Sequence, residues 1–215
     1  MLEEVKPKSY TIKEEIANSI THGVGALLAI AACVLLIVFA AIKGGALRIV
    51  SVSIYGASLI VMFTMSTLYH ALTNKKAKKV FRVFDHTSIF LLIAGTYTPV
   101  ALVTLRGALG WTIFGIIWAI SIVGIVLNSI SIEKFKKFSM IAYIAMGWCI
   151  VLAFYPLMQK LSREGIIFLL IGGALYTIGV VFYKLKRIRY MHSIWHAFVL
   201  AGAIMHYFCV QLYVI

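Results

Sequence analysis

Seven stretches of this chain are so long and so apolar that they leave few choices of fold. They cover residues 16–42, 49–72, 84–105, 111–131, 138–158, 165–183 and 191–214. Each holds about twenty residues or more, enough for a helix rising ~1.5 Å per residue to cross a hydrocarbon core of ~30 Å. The expected fold is therefore all-α, a bundle of seven transmembrane helices. The first run is longer than a signal-peptide core and has no small-residue cleavage site, so it reads as a retained span. Residues 1–15 read as a short polar tail and residues 16–215 as one membrane domain. The connections are short, and no linker, repeat or low-complexity segment interrupts them.

Composition agrees. The chain is 62% hydrophobic with a mean hydropathy of +1.00, far above the roughly 45–50% apolar content of soluble domains. A formal net charge of +13 raises the question of nucleic acid. The basic residues fall in short clusters between the apolar runs, and no basic stripe with interleaved aromatics is present, so no nucleic-acid partner is expected. Cys33, Cys149 and Cys209 lie inside apolar segments without paired spacing, and imply no disulfide framework.

The clusters report orientation. Fifteen of the 20 Lys and Arg residues fall in the N-terminal segment and around the second, fourth and sixth connections; five lie on the opposite side. The excess of positive charge on one side places the N-terminus in the cytoplasm and the C-terminus outside. Binding of anionic headgroups by the same clusters is compatible with this.

The last run carries three of the six histidines and has no Lys, Arg, Asp or Glu after Arg189. At about 100° per residue His192 and His196 share one helix face. Such a pair either grips a metal ion or hydrogen-bonds between packed helices. Other spans decide the matter. The second ends on Ser66-Thr67-Leu68-Tyr69-His70, and the third begins with Phe84-Asp85-His86 on the same side. Three helices thus bring His70, Asp85, His192 and His196 to one depth, roughly 5–10 Å below the cytoplasmic interface at ~1.5 Å per residue. Asp85 is the single aspartate of the chain, and an ionisable group inside a span calls for partners, here the three histidines.

Three imidazoles with an open fourth position form the pattern of a catalytic zinc site. A carboxylate beside it, Asp85, can hold or deprotonate water. Ser66, one turn before His70, either donates to a substrate carbonyl or bonds back to a helix carbonyl. Glu15, Asn18 and His22 share one face at the start of the first helix, as a polar lid or as interhelical hydrogen bonds. His86 points about 100° from Asp85 and reads as a helix-interface residue. His206 lies too far along the last helix to share the site. Asn128 reads as interhelical glue, and Pro99 is expected to kink the third helix.

Assembled, these residues resemble the hemolysin III branch of the progestin and adipoQ receptor family. The likeness rests on Glu15-x-x-Asn18-x-x-Thr21-His22-x-x-Gly25, on Ser66-x-x-x-His70, on Asp85-His86-Thr87-Ser88-Ile89-Phe90 running into Ala94-Gly95-Thr96-Tyr97-Thr98-Pro99, and on His192-x-x-x-His196. It extends over nearly the whole chain. The resemblance implies a seven-helix fold with the N-terminus inside and Zn2+ held by His70, His192 and His196, with Asp85 close to water at the metal. Eukaryotic receptors of the family look like ceramidases, related membrane hydrolases carry similar Ser, His and Asp sets, and bacterial members take their name from a lytic activity.

The expected function is zinc-assisted hydrolysis of a lipid amide or ester, with Asp85 and Ser66 as catalytic residues and a membrane lipid as partner, in a multi-pass protein of the bacterial plasma membrane. The alternatives are a cytolytic protein and a receptor-like protein with a structural zinc. The chain shows no amphipathic, secretion-competent segment for the first. Its short loops, and the lack of the long N-terminal extension of adiponectin receptors, weigh against the second. No feature of the sequence points to a protein partner.

Overall fold

The computed structural model describes residues 10–185 and 188–215. Most of the expected tail, with Lys6 and Lys8, and the basic residues Lys186 and Arg187 lie outside the described residues. Seven helices are long and apolar enough to cross a membrane: α1 (Ile12–Lys43), α2 (Ala46–Ala71), α3 (Lys75–Leu105), α4 (Gly107–Ile130), α5 (Ile132–Met158), α6 (Arg163–Lys184) and α7 (Met191–Val214). Within hydrocarbon a backbone must satisfy its own N–H and C=O groups, which these helices do internally.

Six of the seven helices start earlier than hydropathy places them, and at α1, α3 and α5 capping, not hydrophobicity, decides where the helix begins. Thr11 and Glu14 form a reciprocal capping box, so α1 opens at Ile12 and the charged Lys13-Glu14-Glu15 belong to its first turn instead of the tail. The Asn74 side chain accepts from the N–H groups of Lys76 and Ala77 and opens α3 at Lys75. Ser131 caps α5 at Ile132 in the same way.

α3 is the axis of the bundle. In its most apolar stretch 78% of residues are buried, against 17–44% in the other six helices. α1, α2 and α3 pack in sequence, α4 and α5 follow against α3, and α6 pairs with α7, which returns to α1. Small residues permit close approach where no hydrophobic drive from water exists. A side chain at Gly56 would run into Cys33 of α1, and one at Gly95 would run into Ser58 of α2. Side chains such as Leu27, Ile130, Ile141 and Leu152 face outward on the lipid side.

Three spans are irregular: α7 ends in π-helical turns over Val210–Val214, and the other two irregularities involve α3. Pro99 lacks a backbone donor, and the turns that follow it, Val100–Leu105, widen to π-helical geometry. The run expected as one continuous helix over residues 138–158 breaks instead into α-helix to Trp148, a 3-10 segment Cys149–Ala153 and a last helical turn Phe154–Met158. The Tyr97 hydroxyl of α3 sits at the break, donating to the Gly147 carbonyl (3.0 Å) and accepting from the Ile150 N–H (2.9 Å). Asn128 of α4 donates to Ser139 of α5 at 2.7 Å, the interhelical role expected of it.

A candidate metal centre between α1, α2 and α7

His70 sits in the last turn of α2, and His192 and His196 in the first two turns of α7. One ring nitrogen from each lies within 4.8 Å of the other two. The ties behind the rings decide which nitrogens these are. His70 Nδ1 is 2.6 Å from a Glu15 carboxylate oxygen, and His196 Nδ1 is 3.2 Å from the Asn18 carbonyl. Carboxylate and carbonyl accept only, so both Nδ1 atoms carry the proton and donate, leaving the Nε2 lone pairs free. The Asn18 amide nitrogen also approaches His70 Nδ1, but at 3.5 Å the Glu15 contact prevails. On the other side of the rings His70 Nε2 faces His192 Nε2 at 3.3 Å, and the buried His196 Nε2 has no hydrogen-bond partner among the described residues.

This donor set fits a tetrahedral metal. Two nitrogens each ~2.0–2.1 Å from a common zinc at the tetrahedral angle stand about 3.3 Å apart, the separation found between His70 and His192. A carboxylate or carbonyl on the far ring nitrogen is how metal-binding histidines are oriented. The residues present can therefore hold a metal ion.

α1 supplies the frame. Glu14, Asn18, His22, Gly25 and Ala29 form its buried stripe. Asn18 is fully buried, and its Oδ1 also accepts from Ser193 at 2.6 Å, so one residue joins α1 to α2 and α7. The second oxygen of Glu15 accepts from Lys78 of α3 at 2.6 Å. Glu14 accepts from the backbone N–H of Tyr190 at 3.1 Å. Tyr190 holds the left-handed φ of 62° that turns the chain into α7, a strained conformation for a bulky residue. Tyr10, ahead of α1, stacks on His192 with ring centroids 4.8 Å apart. Burial pushes its phenol above the ordinary tyrosine range, so it remains a neutral O–H.

Asp85 is buried, but its ion contact is with the adjacent His86, whose Nδ1 lies 3.4 Å from its carboxylate and 3.0 Å from the Arg82 carbonyl. The three clustered histidines, expected as its partners, have their Nδ1 ties elsewhere where these are resolved. Neighbouring side chains 100° apart at the backbone have thus folded toward each other. Ser66 is fully buried with its hydroxyl beside the Asp85 carboxylate, and it does not bond back to its own helix. His206 stands apart, donating to the Leu169 carbonyl of α6 at 3.2 Å and packing on Gly172. A cavity of about 500 Å³ runs from Asp85, His192 and His22 between α3, α5, α6 and α7 as far as His206.

The haemolysin-III-related family model matches residues 10–207. The chain belongs to the haemolysin-III family. Hemolysin-3 of Bacillus cereus is 45% identical over 215 residues, covering 100% of this chain and 98% of the relative. The hemolysin-3 homolog of Bacillus subtilis (strain 168) is 47% identical over 204 residues, 95% of this chain and 96% of the relative. The monocyte to macrophage differentiation factor of Homo sapiens is 29% identical over 214 residues, 97% of this chain and 86% of that protein. Seven spanning helices and this membership make it a multi-pass membrane protein.

Two roles were not legible in sequence. Glu15 and Asn18 were visible as polar residues on one face of α1, but neither the spacing nor the composition says that one holds His70 and the other both His196 and Ser193. The signal available was the cost of polar groups inside a span, which demands partners without naming them.

Proposed function

We propose that this membrane protein is a zinc-dependent hydrolase of a lipid amide or ester, with the N-terminus in the cytoplasm of a bacterial cell and the site near that side. The observation that carries the reading is the convergence of His70, His192 and His196 near the buried Asp85 and Ser66, with His192 and Asp85 in the wall of a largely apolar cavity of about 500 Å³. A zinc ion on the three imidazoles would supply a Lewis acid that polarises a carbonyl and lowers the pKa of water toward ~7.

The chain's own residues do the rest. The cavity takes the lipid's apolar portion from the bilayer and excludes water along it. Asp85 accepts a proton at its carboxylate, a contribution of typically 10²–10⁴-fold from a placed base. Ser66, whose hydroxyl lies next to that carboxylate, donates to the acyl oxygen. Glu15 and Asn18 hold the His70 and His196 rings so that their Nε2 atoms face inward.

The test is Asp85→Asn, which preserves shape and removes the base. The variant is expected to fold and to hold zinc by metal analysis of purified protein, while lipid hydrolysis falls at least a hundredfold and a substrate accumulates in the membrane. The names of the Bacillus relatives favour one other reading, a lytic protein in which zinc only clamps α2 to α7. On that reading Asp85→Asn leaves every lipid pool unchanged and any lytic activity intact, and hydrolysis would be abandoned.

A further inference from the structure

At the end of the bundle where α2 stops and α3 and α5 begin, three cations stand in the wall of the largely apolar cavity. They are Lys78 and Arg82 of α3 and Lys136 of α5, and Tyr10 and Tyr69 border the same end. Lys78, Arg82 and Asp85 on α3, like Ile132, Lys136 and Met140 on α5, follow helical spacing, so each cation lies on the face that lines the cavity. Retention of positive loops in the cytoplasm requires Lys and Arg near the span ends but not on these faces. Arg82 lies about 4.5 Å along the helix axis from Asp85 at ~1.5 Å per residue, one turn nearer the basic end.

The carboxylates in this wall are already met. Glu15 is shared by Lys78 and His70, Asp85 is paired with His86, and Glu14 accepts from Thr11 and from the Tyr190 N–H. What remains is a surplus of donors. Lys136 takes part in none of the four ion pairs among the described residues. Arg82 spends one nitrogen on Glu133 at 2.7 Å, in a pair whose side chains are 36% and 66% exposed and which is weak for that reason. The rest of its five N–H donors are left over. The Tyr10 and Tyr69 hydroxyls have no hydrogen-bond partner among the described residues, and Arg82 is an electrostatic neighbour of Tyr69. Two positive charges and two hydroxyls call for an anionic ligand rich in acceptor oxygens. A phosphate offers three such oxygens, and the guanidinium fork matches two of them at once. Beyond these donors the cavity is lined mainly by apolar side chains, so the ligand carries a hydrocarbon chain behind its phosphate.

We propose that the basic end of the cavity binds the phosphate of an anionic lipid through Arg82 and Lys136, with the Tyr10 and Tyr69 hydroxyls, while the lipid's chain lies in the apolar remainder. The proposal rests on the cavity being the lipid site, as in the reading above, but concerns binding and not cleavage. Hydrogen bonds between charged partners are the strong ones, and losing one such partner is worth about tenfold or more in affinity.

Three probes test it: an alkyl-ether glycerol phosphate, the same alkyl glycerol without phosphate, and glycerol 3-phosphate without the chain. An ether offers the site nothing to hydrolyse, so binding is read apart from cleavage. Titration calorimetry is run on the full chain in maltoside micelles, which carry no phosphate. The wild type is expected to bind the alkyl phosphate at least tenfold more tightly than either other probe. Arg82→Gln and Lys136→Gln each lose most of that preference and bind the neutral alkyl glycerol as the wild type does. Glu133→Gln, which frees Arg82, keeps the preference or strengthens it, and so does Lys134→Gln, whose exposed side chain lies outside the cavity wall. A wild type without the preference overturns the proposal. So does a Lys134→Gln that loses as much as Lys136→Gln, since the field of the basic end would then be responsible. If Glu133→Gln weakens binding as Arg82→Gln does, Arg82 acts only through its ion pair and the proposal falls. Loss of the neutral probe along with the phosphate probe has the same consequence, because the cations would then only shape the cavity. Glycerol 3-phosphate binding as tightly as the alkyl phosphate would make this a site for free phosphate and overturn the lipid assignment. Hydrolysis of the matching acyl phosphate lipid is recorded alongside. Binding through Arg82 and Lys136 without cleavage counts against the hydrolase reading and leaves this one standing, whereas cleavage of neutral lipids with no phosphate preference overturns this one alone.

Discussion

At the scale of single residues, the three histidines divide sharply from the other three. His70, His192 and His196 bring nitrogens to one point, whereas His86 is bonded to Arg82 and Asp85, and His206 to Leu169. On the proposed zinc site, replacing any of the first three by Ala removes one of its three protein ligands and is expected to strip most of the zinc from purified protein. His86→Ala and His206→Ala are expected to retain it. If His206→Ala emptied the site as fully as His192→Ala, the assignment of ligands would be wrong. Glu15→Gln tests the tie behind His70. The amide no longer fixes the ring as a carboxylate does, and zinc affinity is expected to fall about 10–100-fold in a chelator competition. The histidines could be read from sequence because i, i+4 spacing and a shared depth are properties of each helix separately. The partners of their far nitrogens could not, since Glu15–His70 and Asn18–Ser193 join residues 55 and 175 positions apart. Which polar residue on α1 meets which histidine depends on how α1, α2 and α7 are rotated against one another.

At the scale of elements, hydropathy located all seven spans but not where they begin or bend. The starts of α1, α3 and α5 are set by Thr11, Asn74 and Ser131, polar residues that a search for apolar runs passes over. The interruption of α5 lies inside an apolar run and is invisible for another reason. The group that satisfies the freed backbone, the Tyr97 hydroxyl, comes from α3. Inside a bilayer no water can replace it. Tyr97→Phe is therefore expected to leave the Gly147 carbonyl and the Ile150 N–H unpaired, at about 1–3 kcal/mol. A lowered thermal transition in detergent, with zinc content unchanged, would be the signature. An unchanged transition would mean that the break in α5 is stable by itself. Pro99 is the opposite case. Its effect is local, since the missing donor and the ring act on its own helix, so the disturbance of α3 after residue 99 could be expected from the sequence alone.

At the scale of the whole molecule, the site and the charge distribution belong to the same end of the bundle. His70 ends α2 and His192 begins α7, next to connections that carry Lys75, Lys76, Lys78, Lys79 and Arg189. Lys78 even reaches into the site through Glu15. The opposite end, around Lys43, Arg48, Arg106, Lys160 and Arg163, is sparsely charged, and its cations are partly spent on capping. Arg48 donates to the carbonyls of Lys43 and Gly44, and Lys160 to that of Leu105. An asymmetry of this kind sets orientation through the retention of positive loops in the cytoplasm. On the proposed orientation the candidate metal centre faces the cytoplasmic side, where an intracellular metal pool can reach it without crossing the membrane. A reporter fused after Ile215 is expected to be active only outside the cytoplasm, and one inserted between Asn74 and Lys75 only inside. With seven helices the two positions must differ. Finding both on one side would remove one span, and finding them reversed would place the basic end and the candidate site at the outer face.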